Sequence, residues 1–153
     1  KLESNMTEKF SKKFNKYFIE DLKVGQKVIF SKFISQKDIN NFAKLSGDNN
    51  PVHLDKKYAE DTIFKTRVVH GFLTASLISA AIGTKLPGPG SIYLKQNLKF
   101  LAPVFPDNEV KVELKIKSVN MEKKTVCIET TCFVGEKEVL VGEAIILVES
   151  KKK

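Results

Sequence analysis

The chain has 153 residues, which favours one domain that buries a single core. Its apolar fraction of 42% and charged fraction of 29% are those of a soluble globular protein, and no apolar run is long enough to span a membrane. The net charge of +8 raises the question of a nucleic-acid partner, but Arg67 is the single arginine. Because base readout and bidentate phosphate binding favour arginine, and because no nucleic-acid-binding motif is visible, we expect no nucleic acid and no membrane as partners.

The cysteines and the N-terminal segment give an indication of the cellular compartment in which the protein resides. Cys127 and Cys132 lie five residues apart in one predicted strand, hence on opposite faces, so we expect no bridge between them. No CxxC or HxxxH spacing occurs, so we predict no metal site. A reducing compartment fits this usage. We expect the cytoplasm, with the mitochondrial matrix as the alternative if a transit peptide has been trimmed.

One folded domain between two tails is the predicted organisation. Residues 1–16 are polar, rich in lysine and without hydrophobic periodicity, so we predict a flexible tail, within which Met6 is the expected natural start. Residues 17–149 form the predicted domain. Residues 150–153, which are mostly lysine, form a second predicted flexible tail, and no internal repeat or low-complexity linker divides the chain.

The sequence pattern of the first half of the domain predicts one strand and short helices. Residues 26–34 alternate weakly between apolar and polar, which is typical of a strand with both faces partly covered. Residues 35–45 begin with a Ser-x-x-Asp capping pattern and continue with apolar residues at helical spacing. Residues 54–61 predict one or two further helical turns, with Tyr58 and Ala59 facing inward.

The second half predicts a buried helix followed by strands. Residues 72–82 are apolar on nearly every helical face, which is typical of a buried helix, and the sequence PGPG at 87–90 prevents its continuation. From Ser91 onward the period is two, which predicts four strands at about 91–100, 110–117, 125–134 and 138–149.

Together these elements predict an α+β protein. A five-stranded antiparallel sheet wrapped around one buried central helix would cover that helix on most sides, and this is the hot-dog fold. Such a sheet leaves an edge strand open, so we expect a homodimer, or a higher hot-dog oligomer, formed by pairing with a second copy.

A candidate site lies in residues 46–53, with the sequence SGDNNPVH. Asp48 and His53 stand five residues apart on a loop that Gly47 and Pro51 make too constrained for a helix. A carboxylate and an imidazole that converge on one point form a general acid/base pair able to hold a water molecule. The alternative is ordinary turn chemistry, in which both residues have only structural roles.

Several segments in the right order resemble the MaoC-like hydratases. They are residues 42–53 (FAKLSGDNNPVH), 68–73 (VVHGFL), 77–79 (LIS), 86–94 (LPGPGSIYL) and 100–104 (FLAPV). The resemblance extends over residues 17–148. Within the family, the chain is similar to short (R)-specific enoyl-CoA hydratases and to mitochondrial 3-hydroxyacyl-thioester dehydratases. It implies reversible syn addition of water to trans-2-enoyl thioesters without a cofactor.

The resemblance also implies roles for particular residues. Asp48 and His53 match the catalytic pair, and Gly71 matches the residue whose backbone N–H binds the thioester oxygen. Asn50 and Ser79 match supporting positions, although Ser79 alternatively only bonds back to its own helix.

The resemblance implies a pocket for the acyl chain as well. Phe72 and Ile82 are its candidate lining residues, and both are alternatively core residues. His70 resembles a family position, but we expect it chiefly to shape the turn before Gly71. The basic surface suits either coenzyme A or acyl-carrier protein as the carrier of the thioester substrate.

Three other functions remain open at this point. The first is a dehydratase specific for acyl-carrier-protein thioesters in fatty-acid synthesis. The second is a hot-dog thioesterase, but many of those have an acidic residue on the central helix, and residues 72–82 contain none. The third is a non-catalytic subunit that binds acyl thioesters, which would not require both Asp48 and His53.

Overall fold

The computed structural model describes residues 14–153, and these contain the antiparallel sheet and the long helix that the sequence predicts. The strands are β1 (Lys27–Phe33), β2 (Ile92–Phe100), β3 (Glu109–Asn120), β4 (Thr125–Val134) and β5 (Lys137–Leu147). The α-helices are α1 (Gln36–Ser46), α2 (Pro51–Leu54), α3 (Lys56–Glu60) and α4 (Gly71–Thr84), and a 3-10 turn at Ile19–Asp21 precedes them. No helix among the described residues is both long and apolar enough to cross a membrane.

The sheet has the strand order β1-β3-β4-β5-β2, and every neighbouring pair is antiparallel. Strands β3, β4 and β5 follow one another through short turns, so the centre of the sheet is a meander. Leu114 of β3 lies opposite Val28 on one side and Thr130 on the other, which illustrates the register. Within one chain, β1 and β2 are the two edge strands.

The core lies between α4 and one face of the sheet. The alternating residues of β3, β4 and β5 present one apolar row to this side, because successive side chains of a strand point to opposite faces. The helix contributes four buried apolar residues, Leu77, Ile78, Ala81 and Ile82. The sheet contributes Val110, Val112, Leu114, Ile116, Val126, Ile128, Cys132, Ala144 and Ile146.

Helix α4 is buried on most sides, as predicted, but one stripe of it is exposed in a single chain. Phe72, Ser76, Ser79 and Gly83 are exposed, and they recur at the spacing of one helical stripe. Phe72 is 69% exposed, so its core alternative is wrong as well. The exposed stripe faces outward beside β2, since residues of both line one cavity.

Two further predictions can be judged from burial. Ala59 is fully buried as predicted, whereas the inward orientation predicted for Tyr58 is wrong because 51% of that residue is exposed. Adjacent positions of an α-helix are about 100° apart around its axis, and in α3 it is Ala59 that faces the core while Tyr58 faces solvent. Cys127 is half-buried, Cys132 is buried, and both are free thiols on opposite faces of β4, as predicted.

The chain ends contact each other within the described residues. Asn15 donates its backbone N–H to the Thr84 carbonyl at 3.0 Å. Near the other end, the Ser150 hydroxyl donates to the Glu20 carboxylate, and the Lys151 ammonium forms an ion pair with Asp21 at 2.5 Å. Residues 1–13 lie outside the described part of the chain, and the predicted tail boundaries stay predictions.

Candidate active site

Helix α1 places Asp48 at its carboxyl end. Its start is the predicted capping box, in which the Ser35 hydroxyl accepts from the Asp38 N–H at 3.1 Å and the Asp38 carboxylate accepts from the Ser35 N–H at 2.9 Å. Its end is Gly47, which adopts a φ of +81° and donates its N–H to the Ala43 carbonyl. This left-handed conformation strains most residues other than glycine, and it turns the chain so that Asp48 follows directly.

A one-turn helix carries His53, and the expectation that this segment is too constrained for a helix is therefore wrong. Pro51 occupies the first position of α2, where its missing N–H has no helical partner to lose. Asn50 caps the turn, because its side-chain oxygen accepts from the Val52 N–H at 3.3 Å. The same residue donates its backbone N–H to the Asp48 carboxylate at 3.3 Å, so it links the two candidate catalytic residues.

His53 is held with one ring nitrogen toward the protein. Its Nδ1 lies 2.8 Å from the carbonyl oxygen of Val68, and since a carbonyl only accepts, Nδ1 carries the proton. The neutral ring therefore has a lone pair on Nε2, which is the form required of a general base. Burial lowers the pKa of His53 below its ordinary value of 6.5, the nearby His70 ring lowers it further, and the Val68 hydrogen bond and the Asp48 charge oppose this shift.

The structure brings Asp48 and His53 together, although their exposure differs. One side-chain ligand atom each from Asp48, His53 and His70 lie within 4.8 Å of one another. Asp48 is exposed to solvent, whereas His53 is only 9% exposed. The carboxylate can thus meet an incoming polar group while the imidazole stays at the cavity wall.

His70 is part of this group, which is more than the turn-shaping role expected from the sequence. It is 1% exposed, and its Nε2 lies 3.0 Å from the backbone carbonyl oxygen of Asp48. Its ring centroid lies 3.9 Å from that of His53, with the two planes tilted by 30°. Helical spacing carries no signal for this contact, because Asp48 and His70 are 22 residues apart.

Asp48, His53 and His70 each offer one ligand atom within 4.8 Å of the other two, a spacing that a metal ion could bridge. The Val68 and Asp48 carbonyls occupy one nitrogen on each ring and leave the other nitrogen free. The predicted absence of a metal and of any cofactor stays a prediction.

Gly71 begins α4 beside this group. The preceding residue, His70, makes no side-chain capping hydrogen bond, and within residues 14–153 the Gly71 N–H has no hydrogen-bond acceptor. The first N–H of a helix also lies at the positive end of the helix dipole, which favours a developing negative charge. A Cβ at Gly71 would lie 2.7 Å from Cε1 of Phe100, so glycine permits the close approach of that ring.

Gly71 lines one cavity, and Phe100 lines both this cavity and a second one. The first has a volume of about 380 Å³ and is bounded by His53, Gly71, Thr74, Val139 and Leu140 among others. The second has a volume of about 610 Å³ and is bounded by Phe42, Phe72, Ala75, Ser76, Ser79, Tyr93, Gln96 and Leu98. The ring of Phe100 therefore stands between the two spaces.

The remaining candidate residues lie at different places, some at one of the two cavities and one in the core. Asn50 lines the first cavity, and Phe72 and Ser79 line the second. Ile82 is 2% exposed in the core and lines neither cavity. For all four, the predicted functional roles stay predictions.

Sequence reasoning missed two other residues at these cavities. Phe100 belongs to the segment 100–104 that resembles the family, but the sequence assigned it no role in the site. Thr74 is 3% exposed, and its hydroxyl has no hydrogen-bond partner among the described residues. A polar residue inside an apolar helix was the available signal.

Comparison with known proteins agrees with this geometry. The family model described as MaoC like domain matches residues 21–138. The (R)-specific enoyl-CoA hydratase of Rhodospirillum rubrum is 47% identical over 135 residues, which are 88% of this chain and 94% of that protein. The 3-hydroxybutyryl-CoA dehydratase of Methylorubrum extorquens is 43% identical over 89% of this chain and 87% of that protein.

Solved structures give the same result for the fold. The unliganded R-hydratase of Pseudomonas aeruginosa superposes with a TM-score of 0.85 at 44% identity, covering 90% of this chain and 89% of that one. This likeness confirms the hot-dog fold. The family match covers most of the chain, and the chain therefore belongs to the MaoC-like domain family.

Proposed function

We propose that this protein is an (R)-specific enoyl-CoA hydratase and 3-hydroxyacyl-thioester dehydratase, a hydro-lyase that adds water reversibly to trans-2-enoyl thioesters. The observation that carries the proposal is the convergence of Asp48 and His53 beside the free N–H of Gly71. Relatives at 43% and 47% identity bear hydratase and dehydratase names, which supports the same reaction type.

The chemistry requires three groups, and the site has a candidate for each. Water attacks C3 of the enoyl thioester and gives up a proton, the thioester oxygen becomes an enolate oxygen, and C2 then takes a proton. Asp48 and the Nε2 atom of His53 hold the water and transfer protons, while the Gly71 N–H stabilises the enolate oxygen. Because both proton-transfer groups lie on one side of the substrate, the addition is syn.

We further propose that the enzyme acts as a homodimer. The support is the apolar surface that a single chain leaves exposed. The exposed stripe of α4 adjoins the edge strand β2, and three successive apolar residues of that strand, Ile92, Tyr93 and Leu94, are exposed. An open edge with adjacent apolar surface favours pairing with a second copy. The second cavity lies at this surface, because Phe72 and Tyr93 both line it.

For the compartment we propose the cytoplasm, with the mitochondrial matrix as the alternative. The support is that both cysteines are free thiols. Burial raises the pKa of Cys132 to about 12, so this thiol is protected from oxidation wherever the protein resides.

Hydration of crotonyl-CoA, followed by the loss of enoyl-thioester absorbance, tests the proposed reaction. We expect turnover to the (R)-3-hydroxy product, and we expect Asp48→Asn and His53→Gln each to lower kcat by about 10²–10⁴, the usual contribution of a general acid or base. Asp61→Asn removes an exposed carboxylate outside the cavities and serves as the control, with turnover unchanged.

Three results would contradict this assignment. Release of free thiol without hydration would indicate a thioesterase. Turnover only of acyl-carrier-protein thioesters would favour the carrier-specific dehydratase. Binding without turnover of either carrier by the folded wild-type protein would indicate a non-catalytic subunit.

A matched pair of variants isolates the Gly71 N–H. Gly71→Pro removes the N–H at a helix position that accepts proline, and the extended backbone of His70 (φ −55°, ψ 133°) suits the residue before a proline. Gly71→Ala adds the same Cβ next to Phe100 but keeps the N–H. We expect kcat to be about 10²–10³ lower for the proline variant than for the alanine variant. Equal values in two folded variants would exclude this N–H as the oxyanion donor.

The pH profile of hydration reports on His53. Because burial lowers the pKa of His53, this ring takes up its second proton at a lower pH than an ordinary imidazole with its pKa of 6.5. We expect kcat/KM to be constant near pH 8 and to fall on the acid side with a midpoint below pH 6.5. Parallel measurements of circular dichroism separate this decline from acid unfolding. A midpoint at or above pH 6.5 would contradict the assignment.

Analytical ultracentrifugation tests the proposed dimer with two comparable variants. Leu94 on β2 is 55% exposed and Ile29 on β1 is 54% exposed, so the two residues sample opposite edges of the sheet at equal exposure. We expect Leu94→Lys to dissociate the dimer and to reduce turnover, and Ile29→Lys to leave both unchanged. A monomeric wild-type protein with full turnover would contradict the dimer.

A further inference from the structure

We propose that His70 is a positioning residue, which holds Asp48 and His53 in their reactive arrangement through an Nε2–H tautomer. The kinetic part of this inference rests on the proposed hydratase function, whereas the tautomer is a property of the protein alone. His70 contacts the two candidate catalytic residues and lines neither cavity, so it acts through them and not on the substrate.

The tautomer follows from the two ring nitrogens of His70. Nε2 lies 3.0 Å from the Asp48 carbonyl oxygen, and this contact is a hydrogen bond only if Nε2 carries a proton. Nδ1 is buried and has no partner among residues 14–153. A proton placed on Nδ1 instead would be a buried, unpaired donor and would leave the Nε2 lone pair facing the carbonyl oxygen, which is costly. The neutral ring with its proton on Nε2 is therefore the form whose only N–H donor has a hydrogen-bond acceptor.

The bond from His70 is a specific restraint on Asp48. Asp48 makes three hydrogen bonds among the described residues, and the other two join it to Ser46 and Asn50, two residues away on either side. The bond from His70 therefore ties this exposed residue to the start of α4. Without it, the Asp48 backbone would be held only by its own loop.

Stacking gives His70 a second contact with the pair. Its ring lies between those of His53, at 3.9 Å, and Phe42, at 4.8 Å. His53 has the opposite tautomer, because its Nδ1 donates to the Val68 carbonyl. The two histidines thus form a complementary set in which the His53 Nε2 lone pair is left for chemistry. A shift of a catalytic group by about 1 Å costs on the order of 10² in rate, so this arrangement affects turnover.

Two amide variants separate positioning from simple core filling. In His70→Gln the amide nitrogen takes the place of Nε2 and keeps the donor to Asp48, whereas in His70→Asn the shorter side chain ends near the position of Nδ1 and loses it. Both variants lose the aromatic ring. We expect kcat for crotonyl-CoA hydration to be about 10²-fold lower in His70→Asn than in His70→Gln, with the same KM, because His70 does not touch the substrate. Equal kcat values in the two folded variants would overturn the proposal.

Nitrogen NMR of the wild-type protein tests whether the two histidines have opposite tautomers, independently of any kinetic assay. The chain contains two histidines, so a long-range ¹H–¹⁵N spectrum, recorded at about pH 7.5 on protein freed of any histidine tag, shows two imidazole patterns. We expect one ring protonated on Nε2 and the other on Nδ1. Two rings with the same tautomer, or a doubly protonated ring, would overturn the proposal. This result stands whether or not crotonyl-CoA is a substrate, so a failure of the hydratase function is distinguishable from a failure of this inference.

Discussion

Packing of α4 onto the sheet is the constraint on which the rest of the structure depends. Leu77, Ile78, Ala81 and Ile82 belong to the core between this helix and strands β1, β3 and β4, and full burial of a large aliphatic side chain contributes about 1.5–3 kcal/mol. This burial fixes the axis of α4 and therefore the position of its first residue, Gly71. A helix end that is anchored by a core can present its free N–H at a constant place, which is what an oxyanion site requires.

Burial beside this core removes water from polar side chains, which costs free energy unless they gain hydrogen bonds in the protein. His53 and His70 are both buried, and each is compensated by one backbone carbonyl, that of Val68 and that of Asp48 respectively. These bonds determine which ring nitrogens remain free. Burial also lowers the pKa of His53, so the environment that stabilises the fold keeps this imidazole in its basic form. The burial and hydrogen bonds of the two histidines are thus important both for stability and for the proposed chemistry.

The surface of α4 that the sheet does not cover has a different character. Phe72, Ser76, Ser79 and Gly83 form an exposed stripe next to the edge strand β2, and the larger of the two cavities opens there. Phe100 separates this cavity from the one that contains His53. The proposed dimer would place this surface at an interface, so substrate access and subunit pairing would involve the same side of the molecule.

Local order in this protein could be predicted from the sequence by itself. The capping box of α1, the stop at Gly47, the apolar run of α4 and the period-two strands each depend on residues a few positions apart, and all are present. The motif around Asp48 and His53 likewise indicated the site. Only the tertiary structure decided which side of α4 is exposed, that Tyr58 faces outward, and that His70 contacts Asp48. Periodicity specifies the faces of an element, whereas contacts between residues far apart in the chain depend on how the elements pack, and that packing is set by the whole core.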